Sequence, residues 1–319
     1  MRLVCILMRM TLTHGDLSLG LAARDLLRVE DLTPDELVAV LDLADSLKQL
    51  QADRIPHHLL AGRSLGMIFQ KPSTRTRVSF EVGMFQLGGA AVNLSASEMQ
   101  LGRGETIADT GKVLSRYVDA IMIRAHSHAE VEELADAAEC PVINGLTDLH
   151  HPCQALADVQ VLRERLGSLE GRSLAWLGDG YNNVCHSLVA AAGMLGMDVT
   201  VASPAGYEPD ADVLAAAGAT LTPDPLEAVA GVDAVVTDVW TSMGQETQRE
   251  QRLADLAPYQ VNAALLEHAA SDHVVLHCLP AHYGEEITRD VLHGPHSAAW
   301  DEAENRLHAQ KALLAMLVA

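Results

Sequence analysis

Ser173-Leu-Ala-Trp-Leu-Gly-Asp-Gly-Tyr-Asn-Asn-Val184 joins a short apolar run to a Gly-containing turn. A helix follows, with Val184, Leu188, Ala191 and Leu195 at helical spacing. Asp198-Val-Thr-Val-Ala202 comes next, a second strand-like run. Strand, turn, helix, strand is the unit of a parallel sheet, because parallel neighbours need a long crossover. The same rhythm extends outward. Upstream, Leu65–Phe69 and Ala120–Ile123 read as strands. Helical patterns run from Thr33-Pro34, from Thr74 (Val78, Val82 and Phe85 on one face) and over Val131–Ala138. Downstream, Asp233–Thr237 and His273–Leu276 read as strands, a helix follows Pro209, and Asp301–Val318 reads as the last helix. The expected fold is α/β, with two domains, each a parallel sheet flanked by helices. Crossing helices such as Leu149–Leu166 join them, with a boundary near residue 150. No repeat, low-complexity tract or long linker stands out.

The chain has 319 residues, 49% of them apolar and 20% charged, which suits a globular protein rather than a disordered one. A net charge of −21 argues against a general nucleic-acid or anionic-membrane binder, and 3% aromatic content leaves few base-stacking surfaces. A local anion site remains compatible with that charge. Five scattered cysteines, with no C-x-x-C, read as reduced thiols of a cytoplasmic protein. No stretch is apolar enough for a membrane span, and Arg9 interrupts the apolar Leu3–Met8 patch, so no secretory signal is expected.

Five segments carry candidate chemistry. In Phe69-Gln-Lys-Pro-Ser73-Thr-Arg-Thr-Arg77, hydroxyls and guanidiniums crowd a strand-to-helix turn, where first-turn N–H groups lack intrahelical partners. That combination predicts an oxyanion or phosphate cradle; the alternative is a capping serine with solvated arginines. His150-His151-Pro152-Cys153-Gln154 offers an imidazole and an amide before a helix, suited to a polarised carbonyl or to plain capping. His277-Cys-Leu-Pro280 puts a thiol at a strand end, which reads equally as a small buried hydrophobe. A zinc site from His277, Cys278, His282 and the His150/His151 pair is a further alternative, although its spacing matches no common ligand pattern. Asp238-Val-Trp-Thr-Ser-Met-Gly244 offers a carboxylate and a hydroxyl for an ammonium group. Gly178-Asp-Gly-Tyr-Asn-Asn183 lacks the third glycine of a dinucleotide turn, and its asparagines suit a carboxylate instead.

Taken in order, Ser-Thr-Arg-Thr-Arg, His-Pro-x-Gln, Asp-x-x-x-Ser-Met-Gly and His-Cys-Leu-Pro resemble the transcarbamoylases. The last two resemble the ornithine carbamoyltransferase branch; the aspartate branch lacks them. The likeness runs from about Leu32 to the C-terminus, including Asp301-Glu-Ala-Glu-Asn-Arg306.

The resemblance implies transfer of a carbamoyl group from carbamoyl phosphate to the δ-amine of L-ornithine, giving L-citrulline and phosphate. It implies no metal or organic cofactor, a role in arginine biosynthesis and a homotrimer. Residues 1–150 with the C-terminal helix 307–319 would bind carbamoyl phosphate, and residues 151–306 would bind ornithine. Ser73, Thr74, Arg75 and Thr76 would hold the phosphate, with Gln100 reaching in from a neighbouring subunit. Arg124 would touch phosphate and carbonyl oxygen. His151, Pro152, Cys153 and Gln154 would surround the carbamoyl group, Cys153 without a side-chain role. Cys278 and Leu279 would lie beside the attacking nitrogen, and Arg306 would complete the carbonyl contacts. Asn183, Asp238, Ser242 and Met243 would hold ornithine. Arg124, His151, Cys278 and Arg306 are the expected catalytic set. A lysine-like amine has a pKa of about 10.4, so Asp238 and Cys278 are expected to help bind and deprotonate it. Two other readings share the motifs: a sibling enzyme using putrescine or an acylated ornithine, and a carbamoyl-phosphate-binding protein without turnover.

Overall fold

The computed structural model describes residues 20–95, 99, 104–241 and 246–318. The chain divides into two compact units. The first contains residues 20–27, Asp35–Thr147 and 307–318; the second contains Arg28–Pro34 and Asp148–Arg306. The division thus falls at 147/148, and the short stretch 28–34 joins the second unit, as no composition shift foretold.

In the first unit, β1 (Ser64–Phe69), β2 (Ala90–Ser95), β3 (Ala120–Arg124) and β4 (Val142–Leu146) form a parallel sheet in the order β2-β1-β3-β4. Its helices are α1 (Pro34–Ala52, all but its first residue in this unit), α2 (Thr74–Gln86), α3 (Ile107–Leu114) and α4 (His128–Ala137). In the second, β5 (Ser173–Leu177), β6 (Asp198–Ala202), β7 (Thr220–Thr222), β8 (Ala234–Thr237) and β9 (Val274–His277) form a parallel sheet in the order β7-β6-β5-β8-β9. Its helices are α5 (Pro152–Leu166), α6 (Asn183–Met194), α7 (Ala211–Ala217), α8 (Pro225–Val229), α9 (Arg249–Leu256), α10 (Ala263–Leu266) and α11 (Arg289–Leu292). The last helix, α12 (Ala299–Val318), begins in the second unit and ends in the first.

The inner strands are mainly apolar because helices cover both faces of a parallel sheet. All of β3, β8 and β9 is buried. Ile68, Ile121, Ile123 and Val142 pack with Val131 and Leu134 in the first unit. Ala175, Leu177, Val235 and Val275 pack with Val229, Tyr259 and Leu292 in the second. Helix α6 lies so close to α7 that a Cβ on Gly193 would fall 2.8 Å from the Cα of Ala217.

Three strands escape the periodicity. Edge strand β2 is mostly half-exposed, β7 is three residues long, and β4 carries Asn144 and Gly145 inside it. The apolar stripe read on α2 also faces the other way. Val78, Val82 and Phe85 are 50%, 37% and 78% exposed, while Thr76, Ser79, Phe80, Gly83 and Met84 face inward.

The structure also reveals a repeat that the sequence hides. Arg63-Ser64 opens β1 and Asp119 precedes β3; Arg172-Ser173 opens β5 and Asp233 precedes β8. Asp119 accepts from Arg63 Nη1 (2.9 Å), Ser64 N–H (2.8 Å) and Ser64 Oγ (2.9 Å). Asp233 accepts from Arg172 Nη1 (2.8 Å), Ser173 N–H (2.9 Å) and Ser173 Oγ (2.9 Å). Each bracket ties the start of one central strand to the next, at the place where both sheets begin to build outward in two directions.

Burial alone would raise these two carboxyls, but the serine and arginine donors hold both below the ordinary aspartate value. Their stabilisation is therefore present above the unfolded pKa, near pH ~4, and is lost as pH falls through the folded one. Asp119→Ala and Asp233→Ala are each expected to cost about 1–2 kcal/mol at neutral pH and less near pH ~3. Urea unfolding at the two pH values checks this. Equal losses at both would contradict it.

Candidate active site

Ligands of parallel α/β sheets bind beyond the carboxyl ends of the strands, where strand order reverses. In the first unit that point lies between β1 and β3. Helix α2 starts there, capped by Ser73, whose Oγ accepts from Thr76 N–H (3.3 Å) and donates to Thr76 Oγ1 (3.0 Å). Pro72 precedes the cap and Thr76 is buried; Arg75 is exposed. Parallel register sets Phe69 beside Arg124, which ends β3 and is 8% exposed. Gln70 N–H donates to the Arg124 carbonyl (2.9 Å), and Gln70 Oε1 accepts from His126 N–H (2.8 Å). The sheet thus brings the hydroxyl-rich helix start and the Arg124 guanidinium to adjacent strand ends. Gln100 lies outside the described residues.

In the second unit the reversal lies between β5 and β8. The turn after β5 delivers Asn182, which caps α6: its Oδ1 accepts from Val184 N–H (2.7 Å) and Cys185 N–H (3.4 Å). Its Nδ2 donates to Asp238 Oδ2 (3.1 Å), just past β8. The other Asp238 oxygen accepts from the Cys278 thiol at the end of β9 (2.9 Å). Asn182, 6% exposed, is therefore the asparagine on Asp238, while Asn183 opens the helix and is only partly buried. A capping asparagine two residues before the helix's first apolar position was the available signal. Ser242 and Met243 lie outside the described residues.

Burial, and then Asp238, push the Cys278 thiol well above its usual pKa. It is a thiol, and it donates to Asp238. Leu279 N–H donates to His277 Nδ1 (2.9 Å), and His277 Nε2 bonds Glu286 Oε1 (3.0 Å). Both ring nitrogens are engaged. The five-residue zinc alternative does not assemble: among the described residues His277 and Cys278 group with Asp238, and His282 groups with Glu285 and Glu286.

A third cluster surrounds α5. His151 precedes it, with Pro152 at its first position. His151 N–H donates to Ser187 Oγ (2.8 Å), and the His151 side chain is buried. Cys153 is wholly enclosed, its thiol pushed up to about 11 by burial, so only its main chain is available to a ligand. Gln154 Nε2 donates to Asp158 Oδ1 (2.7 Å) and to Glu302 Oε1 (2.9 Å). Gln154 Oε1 accepts from Arg306 Nη1 (2.6 Å). Glu302 Oε2 accepts the His277 N–H (2.9 Å). Asp158 and Glu302 had no place in the sequence reading; a helix acid, whether two turns in like Asp158 or in the first turn like Glu302, looks like an ordinary solvated face. Both are buried, and burial pushes Asp158 up to about 7 and Glu302 well above the carboxylate range. The two carboxyls converge on the Gln154 amide nitrogen, and burial with their mutual repulsion favours a proton on the pair.

Two parallel α/β units, each with polar groups gathered where its strand order reverses, define a class of two-domain enzymes. Residues 24–164 match the model of the aspartate/ornithine carbamoyltransferase carbamoyl-P binding domain, and residues 170–317 that of the Asp/Orn binding domain. The chain belongs to the aspartate/ornithine carbamoyltransferase family. It is 55% identical over 308 residues to the ornithine carbamoyltransferase of Pyrococcus horikoshii, covering 94% of this chain and 97% of that one. It is 53% identical to the Bacillus subtilis ornithine carbamoyltransferase over 310 residues, 94% of this chain and 96% of that one. The solved ornithine carbamoyltransferase of Pyrococcus furiosus superposes with a TM-score of 0.90 at 54% identity, covering 94% of this chain and 98% of that one.

The raised pKa of Asp158 has a definite sign. Its stabilising contribution is full below pH ~4 and is lost as pH rises through the folded value of about 7. Asp158→Asn is expected to flatten the fall in stability between those values. Denaturant midpoints for both proteins across that range check it, and an unchanged slope would contradict it.

Proposed function

We propose that this chain is an ornithine carbamoyltransferase: it moves the carbamoyl group of carbamoyl phosphate to the δ-amine of L-ornithine, giving L-citrulline and phosphate. The observation that carries the proposal is the Asp238–Asn182–Cys278 cluster, on a chain about half identical to full-length enzymes of that name. A carboxylate held by two donors yet close to a strand end suits an amino acid's ammonium group.

In this reading the first unit binds carbamoyl phosphate and the second binds ornithine. Ser73, Thr74, Arg75 and Thr76 cradle the phosphate with hydroxyls, first-turn N–H groups and a guanidinium. Arg124 meets both phosphate and carbonyl oxygen. The Gln154 carbonyl oxygen, set by Arg306, accepts from the carbamoyl NH₂, with Pro152, the Cys153 main chain and Leu279 walling the group in. Asp238 and Asn183, with Ser242 and Met243, hold the amino-acid end of ornithine, while Cys278 keeps Asp238 in place. When the neutral δ-amine attacks the carbonyl carbon, negative charge grows on its oxygen. Arg124, His151, Thr76 and Arg306 stabilise that charge; the C–O bond to phosphate then breaks, and the proton lost from the attacking nitrogen goes to the departing phosphate. Phosphate leaves into the cradle that bound it.

The exposed Val78, Val82 and Phe85 stripe on α2 supports a subunit interface; in this reading the assembly is a homotrimer in which Gln100 serves a neighbouring site. One relative, from Pyrococcus furiosus, is named as anabolic, which supports a part in arginine biosynthesis. Among the described residues Cys140, Cys153, Cys185 and Cys278 form no disulfide, which suits the reducing cytoplasm, and no described helix is long and apolar enough to cross a membrane.

Citrulline formation with carbamoyl phosphate and a panel of ornithine, N-acetylornithine, putrescine and aspartate tests the reading. Ornithine is expected to be strongly preferred. Arg306→Met is expected to lower kcat by roughly 10²–10³-fold. Asp238→Asn is expected to raise the KM for ornithine far more than that for carbamoyl phosphate. Preference for another acceptor, or equal effects of Asp238→Asn on both KM values, would overturn the assignment.

A further inference from the structure

The loop after the His-Cys-Leu-Pro run turns sharply through His282-Tyr-Gly-Glu285-Glu286. Gly284 takes φ +87°, and Glu285 N–H donates to the His282 carbonyl (3.0 Å). The turn gathers three side chains. His282 Nδ1 lies 4.0 Å from Glu285 Oε2 and 3.9 Å from Glu286 Oε2.

Each carboxylate is engaged on its other oxygen. Glu285 Oε1 pairs with Arg249. Glu286 Oε1 accepts from His282 N–H (2.6 Å) and from His277 Nε2 (3.0 Å). His277 Nδ1 already accepts the Leu279 N–H, so Nε2 carries the ring proton. The two Oε2 atoms are shut off from solvent and have no hydrogen-bond partner among the described residues. Glu286 as a whole is 0% exposed. Two carboxylate oxygens with no hydrogen-bond donor, both facing His282 Nδ1, leave a place that a cation would fill. Nothing in the carbamoyl-transfer chemistry uses these groups.

We propose that His282, Glu285 and Glu286 form a site for one divalent first-row transition-metal ion, bound through His282 Nδ1 and the two Oε2 atoms. One imidazole with two carboxylates suits zinc, cobalt, nickel or manganese, whereas calcium and magnesium prefer all-oxygen sets. Metal–ligand bonds of roughly 2.0–2.2 Å place neighbouring ligand atoms about 3–3.5 Å apart, so the trio has only to close slightly. The His282 side chain, 47% exposed, is free to make that movement and leaves room for water as a further ligand. His277 and the His282 N–H orient Glu286 from behind, as supporting groups do around bound metals. Through Glu286 and His277 the ion would brace the Leu279 main chain. It is a positioning group outside the reaction itself.

Cobalt(II) titration of the chelator-treated full-length protein, followed by visible and near-ultraviolet absorption, tests this. One equivalent is expected to bind, with ligand-field bands and no thiolate charge-transfer band. His282→Ala is expected to weaken binding at least ~10-fold, and Cys278→Ser to leave it unchanged. Zinc should raise the Tm of the parent protein and not that of His282→Ala; the metal-free Tm of the variant reports that it folds. Absence of cobalt binding, or binding that survives His282→Ala, would overturn the proposal. So would a charge-transfer band that Cys278→Ser removes, which would place the ion on Asp238 and Cys278. None of these readouts needs turnover, so their failure is distinct from failure of the transferase reading.

Discussion

The Gln154 side chain is the joint on which the second unit's chemistry depends. Its amide nitrogen donates to Asp158 and Glu302, and its oxygen accepts from Arg306. An amide has one donor end and one acceptor end, and here both are committed. Because Glu302 also takes the His277 N–H, the same joint connects α5, α12 and the end of β9, next to Cys278. Two carboxylates and one guanidinium, all buried, would be costly if fully ionised. Burial and the mutual repulsion of Asp158 and Glu302 favour a proton on the pair, which would leave one negative charge beside the single Arg306 charge.

The fold prepares for this with a device used twice. Each sheet starts its central strand with Arg-Ser and locks it to an aspartate before the neighbouring strand. The brackets sit at the amino ends of the strands, and the candidate ligand groups sit at the carboxyl ends. Rigidity at one end and polar reach at the other is the division of labour expected of parallel α/β sheets. The two aspartates and the Asp158–Glu302 pair titrate in opposite senses: the first stabilise above the carboxylate range, the second below it.

Much of this was legible in the sequence, because apolar runs and helical spacing report burial directly. β1, β3, β5, β6, β8 and β9 all announce themselves as short apolar stretches. What stayed hidden depends on long-range packing. Asn144 and Gly145 mask β4, although both are buried, Gly145 against β3 and Asn144 on the Leu26 and Leu27 carbonyls. The Val78, Val82 and Phe85 stripe has the spacing of a core face, and only the packed helix shows that a stripe of small and polar residues faces inward instead. Motif residues such as Ser73, His151, Asp238 and Cys278 stand at strand or helix ends, where turn chemistry marks them. The tandem asparagines leave open which one caps the helix, and the packed turn shows that it is Asn182. Asp158 and Glu302 look like solvated helix acids until α5 and α12 are seen to enclose them.

The central claim is that one buried proton holds the Gln154 amide in a single orientation. Infrared spectroscopy of the carboxylic-acid C=O stretch, on the parent protein and on Glu302→Gln, tests it most directly. A protonated-carboxyl band is predicted in the parent at neutral pH, fading as pH is raised, and it should be missing from Glu302→Gln. A parent spectrum with no such band at neutral pH, or a band unchanged in Glu302→Gln, would contradict the account.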